Sequence, residues 1–317
     1  MAWLSSLRAV VGGAMGGRRA GSWRAGFCLL AFFAVYLAWG AHVYRAHEPT
    51  GDEPHYLLVA HSLAYDGDVD LTDNIARQDY AAFYPRPLDP ARDNQARDFR
   101  GDGRQISKHD IGLPLLIAPF YRLAGHWGVI VFQCTVAALT AALIFRWLDR
   151  HLNHPRIALL VSLALGGALP LLGFSSQVFP EIVAAFLVVW ALWQLDRAQQ
   201  RRPTARQFVG CTVAVALLPW LSIKYALLSV LFAAAGAALL LVLPGGERPK
   251  RIALFAIPAA LSAALWFWAR IELFGSALPL AQYQSPGEGI VLAQLDRRIL
   301  ALFLDQEHGV LPYAPLY

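Results

Sequence analysis

The chain has 317 residues, 57% of them hydrophobic and only 15% charged, with a net charge of +5 and a mean hydropathy of +0.43. Soluble domains carry about 25% charged residues, so this composition excludes an ordinary soluble domain and describes an all-α integral membrane protein with many spans. The pI near 9.2 needs no nucleic acid as partner, because the basic residues cluster in short loops between apolar runs.

The first apolar run, 25–44, is long enough to span a bilayer. Arg18, Arg19 and Arg24 precede it as in a signal peptide. The run is long for such a segment and no Ala-x-Ala site follows, so it is predicted to stay as an uncleaved first span. Residues 46–127 then form a long, partly helical external loop. It holds 13 of the 22 acidic residues, between Glu48 and Asp110.

That loop opens with Gly51-Asp52-Glu53-Pro54-His55-Tyr56. Pro54 suits a first helical turn, and Asp52 stands where an N-cap belongs. The helix N-terminus favours an ionised carboxylate there, which is able to take a proton from a hydroxyl. Simple capping explains the same residue. Glu53 is its candidate catalytic partner. The stretch 54–64 is predicted as a helix on the membrane surface, with Leu57, Ala60, His61 and Ala64 near one face.

Asp66-Gly67-Asp68-Val69-Asp70 has the first acidic spacings of a calcium loop, but Leu71 replaces its glycine and Arg77 its final glutamate. A turn is the better expectation, and no metal or other cofactor is assigned. Ser107-Lys108-His109-Asp110 follows. Lys108 and His109 are candidates for binding a phosphate, with snorkelling at the interface as the plain alternative. Residues 112–123 are apolar but too short to span, and are expected to be interfacial or re-entrant.

Six more spans are predicted at 128–147, 157–174, 180–195, 208–221, 224–243 and 252–270, giving about seven in one membrane domain. Arginines and Lys250 fill the loops near 146–156, 197–206 and 248–251. Their alternation places the N-terminus in the cytoplasm, and both 46–127 and 271–317 outside. Glu181 opens the fourth span, while Trp220 and Lys224 lie between the fifth and sixth. A Lys224–Glu181 ion pair is one reading of them; an anion held by Lys224 is the other. Tyr56, Trp220 and Tyr283 are candidates for stacking on substrate. Asp305 and Glu307, in Asp305-Gln306-Glu307-His308, are further candidate substrate ligands. Cys28, Cys134 and Cys211 lack metal or disulfide spacing and are expected to be small buried hydrophobes. The apolar end, Leu311 to Tyr317, resembles the lead-in to another span, so a C-terminal truncation is expected.

One span, an Asp-Glu pair opening a long external loop, then many spans with basic inner loops: this pattern resembles the GT-C glycosyltransferases. Within them it is most similar to the protein O-mannosyltransferase and lipid A aminoarabinose transferase branch. Gly51-Asp52-Glu53-Pro54-His55-Tyr56 matches that branch's motif, and Ser107 to Pro114 matches in part a later loop motif, without its adjacent prolines. The resemblance implies a GT-C-like helical bundle in a bacterial inner membrane. It implies inverting transfer of a sugar from a polyprenyl-phosphate donor to a hydroxyl of a protein, lipid or glycan on the outer face. Asp52 would be the general base; Lys108, His109 and Lys224 would meet the donor phosphate; Tyr56, Glu181, Trp220, Asp305 and Glu307 would bind substrate. From the ionisable residues alone, a transporter or flippase of an anionic solute and a non-catalytic assembly partner remain alternatives.

Overall fold

A computed structural model describes residues 17–88, 95–152, 154–200, 204–241, 245–278 and residue 282. Asp305, Glu307 and Tyr283 lie outside the described residues, as does nearly all of the segment 271–317 beyond Leu278. The described chain is mostly helical.

In chain order the helices are α1 (Gly17–Ala46), α2 (Glu53–Tyr65), α3 (Thr72–Arg77), α4 (Gly112–Leu152) and α5 (Pro155–Gly167), then α6 (Leu171–Phe174), α7 (Glu181–Gln200), α8 (Ala205–Leu221), α9 (Ala226–Leu241) and α10 (Arg248–Phe274). Among the described residues, four segments are long and apolar enough to cross a membrane: Trp23–Ala46, Gly112–Leu152, Ile223–Leu241 and Arg248–Phe274. Helices α5 and α8 are apolar but shorter. The predicted span 157–174 is interrupted: α5 ends at Gly167, and a turn through Pro170 leads into the four-residue α6. Glycine and proline at that point remove the backbone donor and the stiffness a continuous helix needs.

Ile257, Leu261, Leu265 and Trp268 form an exposed apolar stripe on α10, and Trp23, Phe27 and Leu30 do so on α1. Apolar surface on this scale marks contact with lipid or with another protein. Helix α4 is the hub of the buried side, packing against α1, α2, α5 and α7; α8 in turn packs against α7, α9 and α10. The three cysteines are buried free thiols, and Cys134 Sγ donates to the Tyr36 and Ser175 carbonyls.

Helix α4 turns a corner at Ala124 and Gly125, where Gly125 takes φ of 57° and ψ of −148°. A side chain is strained in that conformation. The corner separates an apolar first limb, the predicted interfacial segment, from the predicted second span. Helix α2 departs from expectation. Residues Glu53 to Ala60 are all buried, so it is a packed helix rather than one lying on a surface. Its apolar residues leave no polar face to turn toward water, and it sits against the first limb of α4.

The external loop also holds a short ladder that no alternating pattern in the sequence announces. Ala96–Arg97 pairs antiparallel with Ile106–Ser107, forming a two-strand ladder, β1 and β2. The loop between them wraps the Asp98 carboxylate, which accepts the backbone N–H groups of Arg100, Gly101, Asp102 and Gly103. Those bonds hold its pKa below the usual carboxylate value. Arg100 and Arg104 then reach Glu272 at the end of α10.

Candidate functional site at the shared end of the helices

The start of α2, the β2–α4 turn, the turn before α7 and the turn before α9 meet at one end of the bundle. Buried carboxylates hold them together. Glu53 Oε2 accepts the backbone N–H of Thr50 at 2.9 Å, and Oε1 accepts that of Val178 at 2.7 Å. Gln133 of α4 donates to the carbonyls of Gln177 and Phe179 in the same turn. Glu53 is therefore a clamp between α2 and the turn that leads to Glu181. Burial pushes its carboxyl upward in pKa, against the two backbone hydrogen bonds that favour the ion.

Asp110 performs the matching task for the turn before α9. Its Oδ2 accepts the Ile223 backbone N–H at 3.0 Å, and its Oδ1 stands 3.4 Å from Arg270 Nη1. Arg270 lies between the rings of Trp266 and Phe274, 4.9 and 5.2 Å from their centroids, and donates to the Leu278 carbonyl. A half-open pocket beside this pair is lined by Ile111, Trp220, Ala269 and Leu273. Gly112 makes the arrangement possible. A Cβ there would lie 2.4 Å from the Trp220 carbonyl oxygen.

Asp52 is left outside these clamps. It occupies the N-cap position of α2 but has helical φ and ψ, and its side chain makes no capping hydrogen bond. The predicted capping is replaced by Glu53 reaching back to Thr50. The Asp52 side chain is 42% exposed, with Oδ1 3.7 Å from His109 Nε2. His109 is buried and holds Gln95 Oε1 at 2.9 Å through the same nitrogen. Its ring lies 4.8 Å from that of Tyr56 and 6.2 Å from that of His55. Burial, with Lys108 next to it, lowers its pKa to about 3. A neutral His109 offers hydrogen bonds but no charge to a phosphate, so of the two residues proposed for that task only Lys108 supplies a cation. Lys108 is half-buried, its backbone N–H donates to Gln95, and its ammonium makes no ion pair among the described residues.

The remaining candidates divide. Tyr56 is buried among His109 and Phe179. Lys224 pairs with Glu181, the first of the two readings given above, and also faces the Tyr225 ring. Trp220 Nε1 donates to Ser262 Oγ at 2.9 Å, which ties α8 to α10 and commits the indole to packing. In the 66–79 region, Asp68 and Asp70 accept backbone and hydroxyl hydrogen bonds, while Asp66, Asp73 and Asp79 surround Arg77. This is turn and ion-pair chemistry. Among the described residues no group of three or more His, Cys, Asp or Glu is placed to hold a metal.

Gln95 and Arg270 were not foreseen in these roles. Gln95 meets His109 only through the β1–β2 ladder, for which the sequence carries no alternating pattern. Arg270 had a weak signal, a cation near the end of an apolar helix that must find a partner. No protein-family model, curated protein or solved structure matches the chain.

Proposed function

We propose that the protein is a membrane-embedded glycosyltransferase with a GT-C-like bundle, taking a sugar from a polyprenyl-phosphate donor to an acceptor hydroxyl. The expected setting is the outer face of a bacterial inner membrane. The observation that carries this reading is Asp52, a half-exposed carboxylate fixed at a helix start by Glu53 and Pro54 yet bonded to no donor of its own helix. A capping aspartate would have spent that oxygen.

Asp52 removes the proton from the acceptor hydroxyl, and the oxygen attacks the anomeric carbon from the face opposite the phosphate. The carbon–oxygen bond to phosphate breaks with its electrons, leaving the lipid phosphate with one more negative charge. Lys108 offsets that charge where it grows. Lys224 is occupied by Glu181 in the structure described, and joins only if that pair opens. The buried ion pair Asp110–Arg270 lies at helix ends, which favours an enzyme over a transporter with ionisable groups at mid-span.

The test is transfer from a radiolabelled polyprenyl-phosphate sugar in membranes of a host lacking the native protein. Loss of a general base lowers turnover by about 10²–10⁴-fold. Asp52→Asn is expected to fall in that range, while Glu53→Gln loses activity together with stability. Full activity of Asp52→Asn would remove the proposed mechanism.

A further inference from the structure

At the far ends of α4 and α7 from Asp52, three arginines surround one indole. The guanidinium carbons of Arg146, Arg150 and Arg197 lie 5.6, 5.7 and 5.9 Å from the ring centroid of Trp193. Trp193 itself is buried. Arg146 and Arg150 are one turn apart at the end of α4, and Arg197 is one turn beyond Trp193 on α7, so the three project from adjacent helices onto the same ring. All three are exposed. Asp196 lies 3.9 Å from Arg150 and 3.1 Å from His151, and Asp149 stands on α4 between Arg146 and Arg150. Arg146 and Arg197 form no ion pair or hydrogen bond among the described residues.

Three like charges gathered on one ring repel each other, and the ring's attraction for each cation is only about 0.5–2 kcal/mol. The planar forks of Arg146 and Arg197 match a phosphate, whose anionic oxygens accept parallel hydrogen bonds from a fork, and Arg150 adds positive charge beside them while keeping its contact with Asp196. The cluster stands at the end of a membrane-length helix. From Glu181 to Arg197 along α7 is about 24 Å at 1.5 Å per residue, close to the thickness of a bilayer's apolar core. Leu192, next to Trp193 on α7, and Leu139, two turns before Arg146 on α4, are exposed, offering apolar surface to acyl chains.

We propose that Arg146, Arg150 and Arg197, held on Trp193, form a binding site for the phosphate of an anionic membrane lipid. The site is separate from the Asp52 end and does not depend on the transferase reading. The full chain is purified in neutral detergent and titrated with phosphatidylglycerol or phosphatidylcholine under native mass spectrometry. The wild type is expected to retain one phosphatidylglycerol in preference to phosphatidylcholine. Replacing one arginine by glutamine should weaken that binding about tenfold, the equivalent of one charge-assisted contact. The triple Arg→Lys variant keeps the net charge and serves where the triple Arg→Gln variant fails to fold. It is expected to lose most of the preference, because an ammonium lacks the planar fork. Equal retention of the two lipids by the wild type overturns the proposal, as does undiminished selectivity in the folded Arg→Lys variant. Displacement of the lipid by millimolar inorganic phosphate would reassign the cluster to a soluble anion and sink the lipid assignment.

Discussion

His109 should make the protein acid-sensitive in a calculable way. Its pKa falls from 6.5 to about 3 because the folded chain buries the ring. The unfolded chain therefore takes up a proton near pH 6.5 that the folded chain refuses. The stability contributed by neutral His109 is fully present above pH 6.5 and drains away as pH falls toward 3. One extra proton on the unfolded state corresponds to about 1.4 kcal/mol per pH unit. Between pH 8 and pH 5 the loss is about 2 kcal/mol. Denaturant unfolding of the purified chain at a series of pH values measures this, with His109→Gln as the comparison. The variant is less stable at neutral pH, since it repacks the Tyr56 and Gln95 contacts, but its stability should fall less steeply below pH 6.5. Parallel curves for the two proteins would refute the argument. A ring nitrogen signal of His109 that titrates near 6.5 would refute it more directly.

Arg270→Met is expected to lose about 3–5 kcal/mol, because it strands the buried Asp110 charge. Asp110→Asn combined with it should recover part of that loss, so unfolding energies around the double-mutant cycle that simply add would contradict a coupled pair. Gly112→Ala places a Cβ 2.4 Å from the Trp220 carbonyl oxygen and 2.9 Å from the Leu221 nitrogen. Backbone atoms cannot rotate away, so a cost of about 1–3 kcal/mol or more follows. Gly26→Ala, with nothing within 4 Å of the added carbon, should be neutral or stabilising by up to about 1 kcal/mol; equal melting shifts for the two would defeat this contrast.

The apolar runs made the helices legible, since length and hydropathy alone set the cost of leaving a segment in water. Hydropathy was silent on where a run breaks. The interruption after Gly167 was hidden inside an apolar stretch, although its glycines and Pro170 were visible. The start of the candidate site was legible because Asp52, Glu53 and Pro54 are consecutive, and local rules for helix starts apply to them. Those rules placed Asp52 at the N-cap position but not the bond that closes the helix start: Glu53 accepts from Thr50 three residues earlier, while the Asp52 side chain makes no capping hydrogen bond. The Lys224–Glu181 pair was foreseen from two ionisable residues at the same predicted membrane edge. Gln95 with His109, and Asp110 with Arg270, depend on chain segments brought together only by folding, so no local pattern announced them.

The clamp at Asp110 has a consequence for synthesis. Its partners Ile223 and Arg270 lie 113 and 160 residues further along the chain. While the ribosome is still making that stretch, the carboxylate waits on a nascent protein with neither its counter-ion nor its amide. The end of the bundle that carries Asp52 is thus not closed until α10 has been made, and a polypeptide halted before α10 would keep its earlier helices while leaving that end unassembled.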